Sequence, residues 1–290
     1  MKDALRLLGY FAAVVLVGAL VAPPLYWAAQ SLARYPALNS LGSFDFEVFF
    51  HRALLVAALL FLWPLLRSVS LRQLSDLELR PNNRRWRDLG LGFVAALLPI
   101  MLCGAVLIAA RVYSVRPTVA SAPMIRTVAT AIAVPFIEES LFRGLVLGIL
   151  LRSGRKYLSM FVTSALFSVV HFLKAPEGTS AIVTWTSGFQ SIAHSFAQFS
   201  EPLLVLAGFT TLLLIGWVLA DARILTASLW LPIGLHAGWI LGNGVFSRIA
   251  RREILLLPWL GRNLLVGLIP LGVVSLTWLV IRIWSREKIA

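Results

Sequence analysis

The stretch AVPFIEESLFRGL, residues 133–145, places two adjacent glutamates and an arginine inside sequence that is otherwise apolar. Apolar residues extend for half a membrane span on both sides of Glu138 and Glu139, which is true of no other acidic residue in the chain. Each charge at the middle of a bilayer costs about 2.5–3.5 kcal/mol on insertion scales. The pair therefore requires surrounding protein or an internal water-filled cavity, which a bundle of transmembrane helices would supply.

The composition of the whole chain is that of a membrane protein. Hydrophobic residues make up 59% of the 290 residues and charged residues 13%, and the mean hydropathy is +0.85. Eight apolar runs are candidate transmembrane helices, which predicts an all-α fold, a polytopic bundle forming one integral domain over 1–290. The runs lie at 7–29, 48–66, 89–110, 127–151, 157–173, 203–220, 224–243 and 263–281.

The net charge of +13 does not indicate a nucleic-acid partner, because most basic residues lie between apolar runs, where anionic lipid headgroups attract them. The predicted partner of these residues is the lipid bilayer. More Arg and Lys residues fall on the side of the N-terminus than on the other side, which places both termini in the cytoplasm. The Arg-, Leu- and Ala-rich composition favours a bacterial protein, and hence a multi-pass protein of the inner membrane.

One long segment, residues 174–202, mixes polar residues with Trp185, Phe189, Phe196 and Phe199. This pattern is typical of a piece that lies in the membrane interface or dips into the membrane. Two interpretations remain open, a lid over a site and an amphipathic helix resting on the surface. The second is favoured.

Arg143 provides one reason for the buried glutamates. It follows Glu139 by four residues, which on a helix brings the two side chains within ion-pair reach. Glu138 points about 100° away from Glu139 and is free to face another group. Pro135 predicts a break or kink three residues before Glu138, with a local helix start whose dipole favours nearby carboxylates.

Two of the four histidines, His171 and His236, also lie inside apolar runs, whereas His51 and His194 lie at a span end and in the long segment. Carboxylate and imidazole groups can ligate a metal, or they can hold a water molecule and accept its proton. A single intramembrane histidine is more often a hydrogen bond between helices, and a single Glu–Arg pair is more often structural or part of a transport pathway. Five such groups in three spans favour a catalytic site.

Three motifs in order resemble those of the CAAX-protease and bacteriocin-processing family of intramembrane endopeptidases (CPBP, or Abi-type). They are EESLFR (138–143), FSVVH (167–171) and the stretch SLWLPIGLHAGW (228–239), which match the family's EExxxR, FxxxH and a third motif with a histidine. The resemblance covers residues 124–245, a four-helix catalytic core. It implies an eight-helix fold and cleavage of a peptide bond near the C-terminus of a membrane-associated protein or peptide.

The resemblance also assigns roles to residues of this chain. It makes Glu138 the general base on the hydrolytic water and His171 its partner in holding that water. Glu139 and Arg143 become the supporting pair, and His236 stabilises the oxyanion.

The third motif departs from the family pattern, which commonly has Asn or Asp four residues after the histidine, where this chain has Ile240. Asn243 lies on nearly the same helix face, about 10 Å further along, and is the substitute for that group. Phe167, which opens the second motif, is assigned to the substrate or oxyanion side. Whether a zinc ion is required stays open, and its candidate ligands are Glu138, His171 and His236.

A non-enzymatic function is the alternative, either a scaffold or immunity protein or a proton-coupled transporter. Ile240 favours this alternative.

The sequence lacks GxSxG, GxGD and HExxH, the motifs of other intramembrane proteases. Gly234 and Gly238 lie on the side of their helix away from His236, and we expect them to pack its back against another helix.

Overall fold

The computed structural model describes residues 2–69, 77–79, 82–172, 182–254, 256–261 and 263–286. Residues 174–181 of the long polar segment lie outside the described residues. The α-helices are α1 (Lys2–Leu32), α2 (Phe46–Ser68), α3 (Arg85–Ala109), α4 (Ser121–Glu139), α5 (Leu147–Leu151), α6 (Lys156–Phe172), α7 (Ser187–Phe196), α8 (Pro202–Leu204), α9 (Thr210–Thr226), α10 (Trp230–Ile249) and α11 (Leu268–Arg286). They confirm the predicted all-α fold class.

Shorter elements join several of these helices. Two π-helical segments connect α4 to α5 and α8 to α9; they are Ser140–Val146 and Val205–Phe209. Two 3₁₀ segments follow α1 and α7; they are Pro36–Ser43 and Ala197–Ser200. An antiparallel ribbon of β1 (Tyr113–Val115) and β2 (Ala250–Arg252), which the apolar pattern did not predict, ties together the chain segments that follow α3 and α10.

Five helices within the described ranges are long and apolar enough to cross a membrane, which confirms a multi-pass membrane protein. They are Lys2–Leu32, Phe46–Ser68, Arg85–Ala109, Pro202–Thr226 and Leu268–Ser285. The other three predicted runs correspond to α4–α5, α6 and α10, which carry Glu138, Glu139, His171 and His236. The number eight is therefore not confirmed, and the placement of both termini in the cytoplasm stays a prediction.

The chain divides into two compact units, which makes the single domain over 1–290 a prediction that is still to be tested. The first unit comprises Met1–Arg72 and Leu173–Glu201, and the second comprises Gln73–Phe172 and Pro202–Ala290. In the first unit α1 and α2 form an antiparallel pair. Its core consists of small and aromatic residues, Ala19, Ala22, Phe46, Phe50 and Ala53.

Helix α7 of the first unit is packed against α1. Its buried residues are small, Ser187, Gly188, Ser191 and Ser195. A Cβ atom on Gly188 would collide with the carbonyl oxygen of Ala19, in the middle of α1. The helix that we expected to rest on the membrane surface is thus held along a face of small residues by a membrane-spanning helix.

The second unit is organised by the parallel pair α3 and α10. A Cβ atom on Gly234 would collide with the carbonyl oxygen of Leu89, and one on Gly238 with that of Phe93. The two backbones therefore touch directly, as small residues permit between membrane helices. This contact confirms that both glycines pack the back of α10, so His236 points to the opposite side.

Helix α11 is attached to α9 by a buried charge that the sequence pattern did not reveal. The carboxylate of Asp221, which is 1% exposed, accepts two hydrogen bonds from Arg282, at 2.6 and 2.7 Å. The indole nitrogen of Trp278 donates a third hydrogen bond at 2.8 Å. The pair is bidentate and fully hydrogen bonded, which is the arrangement that makes a buried carboxylate tolerable.

We predict that Gly234→Ala lowers the stability of the protein by about 1–3 kcal/mol, because the added methyl group must separate α3 from α10. Gly90→Ala, in α3, is the matched control, since nothing lies within 4 Å of the Cβ position there. The control should be neutral or stabilising by up to about 1 kcal/mol. Thermal unfolding in detergent measures both, and equal midpoints would contradict the close packing.

Candidate active site

The glutamate pair lies where an α-helix changes to a π-helix. Pro135 is inside α4, which continues without interruption to Glu139, and the irregular segment is Ser140–Val146. The predicted break at Pro135, with a helix start before Glu138, is therefore wrong, and the alternative of a kink stays a prediction. Single π-helical turns are frequent at functional sites, and this one contains Arg143.

Glu139 and Arg143 form a fully buried ion pair. Arg143 Nη1 donates to Glu139 Oε1 at 2.9 Å, and both side chains are 0% exposed. The predicted spacing of four residues thus does bring the two groups together. His236 Nδ1 lies 2.7 Å from the same carboxylate oxygen. One carboxylate therefore joins the α4 region to α10.

Neighbouring groups hold the guanidinium of Arg143 in place. Its Nη2 atom donates to the carbonyl oxygen of Gly216 in α9 at 3.1 Å. Its guanidinium carbon lies 4.4 Å from the ring centroid of Phe167, which is a cation–π distance. The pair is thus anchored to α9 and α6 as well as to α10.

Glu138 points away from this ion pair, as its position one residue earlier predicts. Its Oε2 atom lies 3.1 Å from His171 Nε2 and 3.7 Å from His236 Nε2. The side chains of Glu138 and His171 are 25% and 28% exposed, whereas that of Glu139 is fully buried. Glu138 and His171 are therefore the accessible members of the cluster.

The hydrogen bonds specify which imidazole nitrogens carry protons. His171 Nδ1 lies 2.8 Å from the carbonyl oxygen of Phe167, which can only accept, so Nδ1 donates. Glu139 is paired with Arg143 and is an acceptor, so His236 Nδ1 also donates. In both rings Nε2 then faces Glu138 Oε2. Because an unprotonated Nε2 atom and a carboxylate oxygen are both acceptors, the contact between Glu138 and His171 is a hydrogen bond only when one of these two groups carries a further proton.

The remaining predicted site residues have different surroundings. Phe167 is 1% exposed, and its ring centroid lies 4.0 Å from that of His171. Its buried phenyl ring therefore packs against the imidazole ring. Asn243 is not brought into the cluster, because its side-chain oxygen accepts a hydrogen bond from the backbone N–H of Leu264 at 3.1 Å. No contact of Asn243 within the described residues supports its predicted role in stabilising the oxyanion.

The geometry does not fit a preformed zinc site. Catalytic zinc ions are held by three protein ligands. Within the described part of the chain, no group of three or more His, Cys, Asp or Glu side chains is arranged to hold a metal ion. Two of the candidate ligand atoms, Glu138 Oε2 and His171 Nε2, lie 3.1 Å apart.

Sequence reasoning missed Gly216. A Cβ atom there would lie 2.9 Å from Cα of Ser164 in α6, so the glycine lets α9 approach α6 while its carbonyl binds Arg143. The signal was a glycine inside an apolar run with no turn residues beside it.

Residues 120–241 match the family described as Type II CAAX prenyl endopeptidase Rce1-like. The matched stretch contains Glu138, Glu139, Arg143, His171 and His236, whereas Asn243 lies beyond it. No curated protein and no solved structure matches the chain. The family is one of prenyl endopeptidases, which supports the prediction of a protease at the level of the family. The stretch that carries the entire cluster is thus similar to the Rce1-like CAAX prenyl endopeptidases, as the three motifs predicted.

Proposed function

We propose that the chain is an intramembrane endopeptidase that hydrolyses a peptide bond of a membrane-associated protein or peptide. The observation that carries the proposal is the convergence of Glu138 Oε2 with the Nε2 atoms of His171 and His236, at 3.1 and 3.7 Å. These atoms come from three helices, and a carboxylate and an imidazole this close can both bind one water molecule that lies beside them.

In the proposed first step, the water donates its hydrogen bonds to the Glu138 carboxylate and to His171 Nε2. Its oxygen attacks the carbonyl carbon of the substrate amide, and one of its protons passes to Glu138. The carbonyl oxygen becomes an oxyanion in a tetrahedral intermediate. A positioned carboxylate base contributes about 10²–10⁴-fold to such a step.

In the second step, the intermediate collapses and the carbon–nitrogen bond breaks. Glu138 returns its proton to the leaving nitrogen, which gives a free amine and a free carboxylic acid. We assign the oxyanion to His236, whose imidazolium form would donate from Nε2. The Glu139 carboxylate holds the ring in this orientation through its contact with Nδ1.

Glu139 and Arg143 act through His236 in this proposal and do not touch the substrate. Their ion pair fixes the tautomer and the orientation of the imidazole, as a carboxylate bonded to Nδ1 does in other catalytic sites. The substrate is proposed by class alone, and prenylated CAAX proteins, peptide pheromones, bacteriocin leaders and membrane-anchored regulators are candidates.

A non-catalytic scaffold or immunity protein is the second candidate. The observation that favours it concerns the residues expected to stabilise the oxyanion. Ile240 stands at the position where the resembled family commonly has Asn or Asp, and the side chain of Asn243 accepts a hydrogen bond from the backbone of Leu264. A cell expressing the double variant Glu138→Ala, His171→Ala distinguishes the two, because full biological function of this variant would favour the scaffold.

We expect Glu138→Gln to reduce cleavage by about 10²–10⁴-fold, because the amide cannot accept the proton of water. The assay uses the purified chain in liposomes with prenylated CAAX peptides and other membrane-anchored peptides, and mass spectrometry identifies the products. The exposed Glu201→Gln is the matched control and should cleave normally. Undiminished cleavage by Glu138→Gln would refute the proposed base.

Glu139→Gln should behave differently from Glu138→Gln, because it leaves the buried Arg143 without a countercharge. We expect this variant to lose about 3–5 kcal/mol of stability as well as activity. In the double variant Glu139→Gln, Arg143→Met the unpaired charge is gone, so stability should recover while activity should not. Recovery of both would show that the ion pair has no part in orienting His236.

Metal removal tests the open question of zinc. Because the donor groups do not form a three-ligand site, we expect cleavage to persist after dialysis against EDTA and 1,10-phenanthroline. Loss of activity that zinc restores would establish the metal requirement that the resemblance left open.

A further inference from the structure

A second polar site lies in the second unit, at the end of the membrane-spanning helix that finishes with α9. We propose that it binds the phosphate group of an anionic phospholipid. The site is a cavity of about 260 Å³. Its lining residues are Glu78, Leu151, Gly154, Lys156, Arg223, Ile224 and Ala227.

Arg223 is the central group of this cavity. It lies in the last turn of α9 and is 8% exposed. Its Nε atom is buried with no hydrogen-bond partner within the described ranges. Its one ion-pair contact, from Nη2 to Glu78 Oε1, is 3.8 Å long, which exceeds a hydrogen bond. Buried guanidinium groups are normally hydrogen bonded, so an oxygen atom of a ligand beside the loosely paired Nη2 would satisfy a group that is otherwise incompletely paired.

The charge of the cavity indicates an anion. Lys156, the first residue of α6, lines it together with Arg223, and Glu78 is the single carboxylate opposite these two cations. A phosphate group offers several oxygen atoms in the geometry that guanidinium recognises, and an ammonium group adds a second point of charge. The Glu78 side chain is 40% exposed and is able to turn away into solvent.

The position of the cavity favours a phosphate that belongs to a lipid. The candidate span Pro202–Thr226, of which α9 is the last part, ends directly beside the lining residue Ala227. Tyr157 follows Lys156 and is exposed, and Trp86, whose ring centroid lies 6.4 Å from that of Trp230, is exposed at the same end of the unit. Exposed Tyr and Trp rings beside basic residues are typical of the level of the lipid headgroups.

The cavity is separate from the catalytic cluster. Its lining residues include no member of the cluster, and His236 lies six residues inside α10, a rise of about 9 Å from Trp230, whereas Ala227 lies before that helix. The inference therefore does not rest on the proposed protease activity. A lipid held here would contact the ends of α5, α6 and α9, whose other parts support Arg143 and His171.

Native mass spectrometry of the purified full chain in detergent, titrated with phosphatidylglycerol, phosphatidylcholine or inorganic phosphate, tests the proposal. We expect one phosphatidylglycerol molecule to bind more tightly than phosphatidylcholine. Arg223→Gln should weaken this binding by about tenfold or more, the usual effect of losing a charge-assisted hydrogen bond. Lys156→Gln should weaken it less, and Glu78→Gln should strengthen it, because the competing carboxylate charge is removed.

Arg248→Gln is the matched control, because Arg248 lies in the last turn of α10 as Arg223 does in α9, but is exposed. It should leave the affinity unchanged. If Arg223→Gln fails to fold, the opposite effects of Lys156→Gln and Glu78→Gln decide the question. Effects of the same sign, equal affinity for both lipids, or binding of inorganic phosphate without preference for the lipid would overturn the headgroup site.

Discussion

The buried carboxylate of Glu139 is the group on which the rest of the second unit depends. A charge with no access to water must be neutralised by protein, and Glu139 is neutralised by Arg143 at 2.9 Å. Arg143 in turn bonds the carbonyl of Gly216, and Glu139 accepts from His236 at 2.7 Å. These contacts require α4, α9 and α10 to meet at one depth. The same requirement places Glu138, which points elsewhere, beside the two Nε2 atoms.

Close backbone packing makes this meeting geometrically possible. Gly234 and Gly238 place α10 directly against α3, which turns His236 toward α4, and Gly216 places α9 against Ser164 of α6. In a membrane the apolar side chains gain little by leaving lipid, so helices associate through such contacts and through polar bonds. The Asp221–Arg282 pair is a second example, since it joins α9 to α11 through hydrogen bonds where apolar packing alone gives little specificity. Polar residues of this chain therefore contribute to the assembly of the bundle as well as to the candidate active site.

Charge is used in two different ways along the same helices. In the cluster around Glu138 and Glu139 each charged side chain has a partner at hydrogen-bond distance, although Glu139 Oε2 and Arg143 Nε have none within the described ranges. Only Glu138 and His171 are accessible. At the end of α9, by contrast, the ion-pair contact of Arg223 with Glu78 is 3.8 Å long. The first arrangement holds its groups rigidly, as preorganised sites do. The second leaves donors available for a ligand.

Much of this protein was determined by local sequence. The apolar runs predict membrane helices because lipid accepts only apolar side chains and hydrogen-bonded backbone, and the i, i+4 spacing predicts the Glu139–Arg143 pair because one helix contains both residues. The three motifs indicate that Glu138, His171 and His236 belong to one site. The tertiary structure decided the rest: the π-helical segment after Glu139 in place of a break at Pro135, the engagement of Asn243 by Leu264, and the role of the Gly216 carbonyl. Each of these three features depends either on an atom from a distant part of the chain or on a local change of backbone hydrogen bonding. Neither kind of interaction leaves a periodic signal in the sequence.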